Sequence, residues 1–175
     1  IRTSVKALLI SKSQAITYYT ALNMRNLDLI DYLGTLSRDP EVVTSMAGYA
    51  QYLRGIERAG IERAVISSGF SAGIFSQDEL DELKGLISVQ NVYNEMFLDS
   101  ATDTQKRLYE TLMNGESATE VDRLRAIAIA GGLEGELKGI TGQYAFNVIT
   151  RKIKGLTEIE AELTEQLLTD VQVKT

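Results

Sequence analysis

A single proline, Pro40, interrupts the 175 residues of this chain, and that scarcity narrows the range of possible folds. Proline breaks the interior of a helix because it lacks a backbone N–H and clashes with the preceding turn. Long runs of β-branched residues, which favour strands, are also few. The sequence therefore predicts an all-α fold with long uninterrupted helices.

The first predicted helix occupies the N-terminal part of the chain and continues through Leu33. Its apolar residues recur at steps of three and four, which is the period of a helix with one buried face. Gly34 and the segment Ser37 to Pro40 predict a stop and a new start, with Asp39 as N-cap and Pro40 in the first helical position. The apolar positions that carry the pattern are Val5, Leu8, Leu9, Ala15, Ile16, Tyr19 and Leu22.

The rest of the chain predicts two more long helices with shorter pieces between them. A second helix runs from Glu41 to about residue 71 and ends at Gly73, and a capping box formed by Ser76 and Glu79 begins a third that reaches Phe97. Short helices follow over residues 104–113 and 120–130, separated by glycines. A last helix over residues 143–171 carries a near-heptad apolar seam.

These elements predict one elongated antiparallel bundle, with four long segments and short extra helices, over residues 1–175. In a bundle with an even number of long helices both chain ends emerge at one pole, which suits a domain between two membrane spans. The chain begins with Ile1 and contains no run of about 18 apolar residues, so we expect a piece of a longer protein whose membrane contact lies in flanking segments.

The chain contains neither cysteine nor histidine, and this excludes many kinds of site. Disulfides, zinc fingers, Cys or His nucleophiles, Ser-His-Asp triads and Glu-x-x-His di-iron sites all need those residues. We therefore expect no catalytic residue, no metal and no cofactor. A net charge of −6 also argues against a nucleic-acid partner and against adhesion to an anionic bilayer.

The segment from residue 53 to 64 is the most informative part of the sequence, because Glu-Arg-Ala occurs in it twice, five residues apart. Five steps of about 100° leave Arg58 and Arg63 roughly 140° apart around the helix. Arg58 has Glu62 at i+4 and Arg54 has Glu57 at i+3. Exposed ion pairs along the helix would therefore account for the arginines on this face. The helical neighbours of Arg63 are small or apolar.

An arginine on such a face must meet a carboxylate from another helix or a bound anion, because an unpaired buried charge is costly. Both readings remain open here. Glycines in and beside this helix favour close approach of a neighbour or a ligand, and Tyr49 and Tyr52 are candidate pocket walls upstream of Arg63. The glycines are Gly48, Gly55, Gly60, Gly69 and Gly73, and the arginines that other helices could add are Arg25, Arg123, Arg125 and Arg151.

Three stretches of the sequence resemble the nitrate- and nitrite-sensing (NIT) domain. They are residues 56–64 (Ile-Glu-Arg-Ala-Gly-Ile-Glu-Arg-Ala), residues 70–75 followed by Gln90 and Phe97, and Phe146, Thr150 and Ile153, which lead into Leu156 and Glu160. The resemblance implies an all-helical extracytoplasmic sensor in a chemoreceptor or sensor kinase, commonly a homodimer. Such a sensor binds a nitrogen oxyanion through arginines between helices and passes a small helix shift to an output module.

The resulting hypothesis is a periplasmic ligand-sensing domain of an inner-membrane receptor that binds a small anion such as nitrate or nitrite and has no enzymatic activity. Arg58 and Arg63 match the Glu-Arg positions of the family. The alternative is a helical dimerisation or protein-interaction spacer without a small-molecule ligand. The candidate ligand residues are Arg63, Arg58, Arg54, Tyr49 and Tyr52.

Overall fold

The computed structural model describes residues 11–173, and these residues form six helices and no strand. This confirms the predicted all-α class. Val5, Leu8 and Leu9 of the first predicted helix lie outside the described residues. The helices are α1 (Lys12–Thr35), α2 (Pro40–Ala72), α3 (Gln77–Ser100), α4 (Asp103–Met113), α5 (Glu116–Gly131) and α6 (Gly142–Val173).

Helix α2 begins and ends, and α3 begins, at signals identified in the sequence, whereas the helix predicted over residues 120–130 begins earlier, at Glu116. Asp39 caps α2 by accepting from the backbone N–H groups of Glu41 and Val42, at 2.8 and 3.3 Å, with Pro40 in the first turn. Gly73 ends α2 with a φ of 77°, a left-handed conformation that favours glycine. The side chains of Ser76 and Glu79 form the predicted capping box of α3. These four expectations are confirmed.

Helix α2 lies at the centre of an antiparallel bundle and packs against α1, α3 and α6. Residue numbers run in opposite directions along each of these contacts, which shows that the neighbours are antiparallel to α2. The predicted four long segments are therefore α1, α2, α3 and α6, with α4 and α5 as the short helices. The contacting pairs are Asn23–Glu57 and Asp31–Arg54 for α1, Gly48–Ser100 and Glu62–Gln90 for α3, and Tyr49–Thr164 and Arg63–Thr150 for α6.

The glycines of α2 admit the neighbouring helix. A Cβ atom on Gly48 would lie 2.1 Å from the Ser100 hydroxyl, and one on Gly69 would lie 2.2 Å from the ring of Phe75. Of the two readings open for these glycines, close approach of a neighbour holds at both positions. The face of α2 that carries these glycines is therefore the surface on which α3 and the loop before α3 pack.

The surface of α1 carries several exposed apolar side chains. Leu22 and Leu29 of α1, and Leu36 directly after its last residue, are spaced seven residues apart and are 41%, 55% and 61% exposed. Tyr18, Tyr32 and Leu33 are also exposed nearby. Among the described residues, no helix combines the length and the apolar content that crossing a membrane requires.

A buried polar layer lies between two apolar clusters of the core. One cluster includes Ile66, Leu83 and Ile149, and the other includes Tyr52 and Phe97. Each of α2, α3 and α6 contributes a buried polar residue that lies between the residues of the two clusters. These three residues are Glu62, Gln90 and Lys152, and Arg125 of α5 joins them.

The carboxylate of Glu62 is the centre of this layer and is completely buried. Arg125 donates to both of its oxygens, with Nε to Oε1 at 2.5 Å and Nη2 to Oε2 at 2.8 Å, and the amide of Gln90 donates to Oε2 at 2.9 Å. Burial alone raises the pKa of Glu62, but the hydrogen bonds and charge of Arg125 outweigh it and hold that pKa below its usual value. Glu62 is therefore ionised in the folded bundle.

Replacing Gly69 by alanine is expected to destabilise the bundle by about 1 to 3 kcal/mol, because the new methyl group overlaps the buried Phe75 ring. Gly85→Ala is the matched control, since a Cβ atom there meets nothing within 4 Å on an exposed stretch of α3. That control should gain about 0.5 to 1 kcal/mol. Urea unfolding measures both, and equal effects of the two substitutions would contradict the packing.

The buried carboxylate predicts a specific acid sensitivity. Glu62→Gln leaves Arg125 buried without its charge partner, which should cost about 3 to 5 kcal/mol at pH 7. Because the pKa of Glu62 is lower in the folded state than its ordinary 4.5, this contribution is complete above pH 4.5 and is lost as the pH falls through the folded value. Urea unfolding between pH 3 and 7 measures it, with exposed Glu95→Gln as control; a penalty independent of pH would refute the assignment.

Candidate functional site

Arg63 lies half-buried between α2 and α6 without a carboxylate partner among the described residues. Its Nη1 donates to the Thr150 hydroxyl at 3.0 Å, and its guanidinium carbon lies 4.7 Å from the centre of the Phe146 ring. Both contacts come from α6. Neither a neutral hydroxyl nor an aromatic face cancels a full positive charge, so these contacts leave the guanidinium without a counter-ion.

The geometry leaves donors of Arg63 available for a ligand. A guanidinium carries five N–H donors in a planar fork, and one of them is used by Thr150. Phe146 is 41% exposed, so the site opens to the surface. A planar fork held against a neutral wall suits bidentate binding of a small oxyanion.

The cluster around Glu62 explains why the carboxylate next to Arg63 does not neutralise it. Consecutive residues point about 100° apart around a helix. The side chain of Glu62 therefore turns into the core, where Arg125 and Gln90 hold it, while Arg63 turns towards Thr150. The sequence left two possible partners for Arg63, a carboxylate from another helix or a bound anion. No described carboxylate forms an ion pair with it.

Arg54 and Arg58 face α1, and their predicted partners within α2 are wrong. Nη2 of Arg54 lies 2.6 Å from Asp31 and 3.6 Å from Asp28, both on α1. The hydrogen bonds that Arg54 donates to the carboxylate of Asp31 are the main reason that the pKa of Arg54 is raised. Glu57 accepts a hydrogen bond from Asn23 of α1 at 2.7 Å. Contacts with α1 replace the predicted ion pairs within α2, because α1 covers this face of α2.

Arg58 has no carboxylate partner among the described residues. Its Nη2 lies 3.8 Å from the sulfur of Met24. The expected pairing with Glu62 is absent because that carboxylate is buried on another face. Arg58 and Arg63 therefore contact different helices, in agreement with the separation of roughly 140° that the helix period gives.

Tyr49 and Tyr52 line two separate cavities, and Arg63 lines neither. The Tyr49 hydroxyl lies 3.0 Å from that of Thr164, beside a cavity of about 400 Å³. Tyr52 donates to the carbonyl of Leu156 at 2.8 Å and borders a small interior cavity. Burial raises the pKa of Tyr52, so its hydroxyl stays protonated.

The four arginines that other helices could have added to the Arg63 site lie elsewhere in the structure. Arg125 holds Glu62, and Arg123 pairs with Glu120 at 2.6 Å. Arg151 lines a cavity of about 270 Å³ together with Glu120 and other residues of α5 and α6. Arg25 is exposed on α1. The contacts of Arg63 thus come from Thr150 and Phe146, two of the α6 residues on which the resemblance depends.

Lys152 is a buried cation that the sequence analysis missed. It is 4% exposed and forms no hydrogen bond or ion pair with the described residues, although the carboxylates of Glu62 and Asp122 are near enough to attract its charge. Burial, together with the nearby charge of Arg125, lowers its pKa to about 8. Its position was available as a signal, since residues 149, 152, 156, 159 and 163 follow the alternating three- and four-residue steps of the α6 seam.

Comparisons with known proteins agree with the resemblance. The family model described as nitrate and nitrite sensing, NIT, matches residues 1–168. A nitrate regulatory protein of Klebsiella oxytoca is 24% identical over 168 residues, which cover 96% of this chain and 42% of that protein. The chain thus spans less than half of the length of that relative. No solved structure matches this chain. With nearly its whole length matched, this chain belongs to the nitrate and nitrite sensing (NIT) family.

Proposed function

We propose that this domain binds nitrate or nitrite at Arg63 and serves a regulatory rather than an enzymatic role. The observation that carries the proposal is the guanidinium of Arg63, which has no carboxylate partner among the described residues. The family description supports the ligand class, and the printed name of the Klebsiella relative supports a regulatory role.

The chemistry of the site fits a planar monovalent oxyanion. Nitrate and nitrite each present two oxygens that the guanidinium fork of Arg63 can address together. Hydrogen bonds to a charged group contribute about 1.5 to 3 kcal/mol each. The ring of Phe146 shields one face of the guanidinium, and Thr150 fixes its orientation.

Binding at this position would act on the contact between α2 and α6. Arg63 is a direct polar link between these helices, so an anion that takes up its donors changes the free energy of the α2–α6 packing. We propose that a displacement of α6 carries the signal. The extracytoplasmic location, the receptor setting and the output module stay predictions from the resemblance.

Arg63→Ala is expected to lower nitrate or nitrite affinity by about 10- to 150-fold, the equivalent of one charge-assisted contact. Isothermal titration calorimetry with nitrate, nitrite and chloride measures this loss. Arg58→Ala is the matched control, because it removes an arginine of the same helix that contacts Met24 on another side. Affinity in that variant should stay unchanged.

Three results would contradict the binding proposal. If neither nitrate nor nitrite gives heat, the proposed ligands are wrong. If the wild type and Arg63→Ala bind with equal affinity, the proposed site is wrong. Loss of binding in Arg58→Ala, with none in Arg63→Ala, moves the ligand to the side of α2 that faces α1.

The exposed leucines of α1 favour a second candidate role as a dimerisation module. Leu22, Leu29 and Leu36 have the spacing of one coiled-coil position, and a second copy would present the same seam. The homodimer expected from the resemblance stays a prediction. The melting temperature distinguishes a sensor from a spacer. A specific ligand at one hundred times its dissociation constant adds about 2.7 kcal/mol of stability to a sensor and raises its melting temperature, whereas a spacer has no such ligand.

Leu29→Lys is expected to shift a dimer to monomer, since it places a charge at the centre of the apolar stripe. Light scattering after size-exclusion chromatography measures the mass. Val92→Lys, at an exposed apolar position on α3, is the control and should leave the mass unchanged. A monomeric wild type would refute the dimer without affecting the nitrate proposal.

A further inference from the structure

Thr150 differs from the other threonines of α6 in the use of its hydroxyl group. Thr157, Thr164 and Thr169 each donate their hydroxyl proton to the carbonyl oxygen four residues earlier, at 2.9 Å, a common bond for a threonine in a helix. Thr150 donates neither to that carbonyl nor to any other described group. Its hydroxyl accepts from Arg63 at 3.0 Å instead, so its own proton is left unused.

This hydroxyl lies at the proposed anion site. It accepts from Nη1 of Arg63, which comes from α2, and the Phe146 ring, one turn earlier on α6, lies 4.7 Å from the same guanidinium. Thr150 is half-buried and Phe146 is exposed. The unused proton therefore lies beside a guanidinium without a carboxylate partner among the described residues, at a place that an ion from solution can reach.

The hydrogen-bonding capacities of the three groups limit how they can be arranged. A guanidinium only donates, nitrate and nitrite only accept, and a hydroxyl does both, because it carries one proton and two lone pairs. In the structure Thr150 is an acceptor for Arg63. The same hydroxyl can donate to an oxygen of an anion while Arg63 donates to that anion from the side of α2.

We infer that Thr150 is a second ligand residue, and that the anion binds between the Arg63 guanidinium and the Thr150 hydroxyl in place of their direct bond. This inference rests on the proposed function, since it takes nitrate or nitrite as the ligand at Arg63. Two hydrogen bonds of about 2.8 Å through a shared oxygen separate Nη1 from the Thr150 oxygen by about 4 to 5 Å. The direct distance is 3.0 Å. Binding therefore moves α6 away from α2 by up to about 1 to 2 Å, which gives the proposed displacement a direction.

Thr150→Val tests this role, because valine has nearly the same shape as threonine and no hydroxyl. Its affinity for the anion should fall at least tenfold, the equivalent of one hydrogen bond to a charged group. Thr150→Ser restores the hydroxyl and should bind within about threefold of the wild type, the difference reflecting the freer rotation of serine. Isothermal titration calorimetry with nitrate and nitrite measures these affinities.

Thr157→Val is the matched control. It removes a hydroxyl of the same helix that donates to the Ile153 carbonyl and lies on an exposed position. Its affinity should equal that of the wild type. An equal loss of affinity in Thr157→Val and Thr150→Val would show a general effect on α6 and would overturn the inference.

Infrared spectra of the bound, isotope-labelled anion give a measurement that does not depend on affinity. The N–O stretching bands respond to the number of hydrogen bonds that each oxygen accepts. At saturating ligand the bands should differ between the wild type and Thr150→Val and should agree between the wild type and Thr157→Val. Identical bands in the wild type and Thr150→Val would overturn the inference.

A hydroxyl that only occupies a donor of Arg63 predicts the opposite change in affinity. Its removal frees that donor, so Thr150→Val would bind the anion as tightly as the wild type or more tightly. That result overturns the inference but leaves the proposed function in place if Arg63→Ala still weakens binding. Equal losses in Thr150→Val and Thr150→Ser overturn it as well. If Thr150→Val does not fold, Thr150→Ala gives the same comparison, because alanine also lacks the hydroxyl and favours a helix.

Discussion

The buried pairing of Glu62 with Arg125 is the interaction on which the arrangement of the bundle depends. It joins α2 to α5, and through Gln90 it joins both to α3, at the level where the two apolar clusters meet. Charges at such a position must be matched, since a register shift of one helix would leave one of them unpaired. The polar layer therefore specifies how the helices align, while the apolar clusters supply most of the driving force.

The same interaction assigns the arginines of α2 to different tasks. Because Glu62 turns inwards, Arg63 turns towards α6, where a hydroxyl and an aromatic ring receive it. Arg54 is occupied by carboxylates of α1, and Arg58 lies against a methionine. The proposed ligand site thus lies beside the buried pair of Glu62 and Arg125, and a ligand there would act on helices whose register is already set.

Much of the fold could be predicted because its signals are local. A cap such as Asp39 or Ser76 depends on backbone groups two or three residues away, and Gly73 ends a helix through its own φ angle. The site was harder to predict. Glu62 has an arginine four residues before it, which indicates an exposed pair, and nothing local shows that α5 covers it with Arg125. Lys152 was missed because its charge suggests a surface position although its spacing indicates the core.

The sequence by itself determined the all-α class, both ends of α2, the start of α3, the absence of cysteine and histidine, and the family, since all of these follow from residue identity and short-range spacing. The tertiary structure decided which charges are paired. Pairing depends on which side chains of distant segments come within a few ångströms, and several arginines and carboxylates of this chain could have satisfied the same local pattern. Packing around α2 selected Glu62 and Arg125 as the buried pair, and left Arg63 without an ion pair among the described residues.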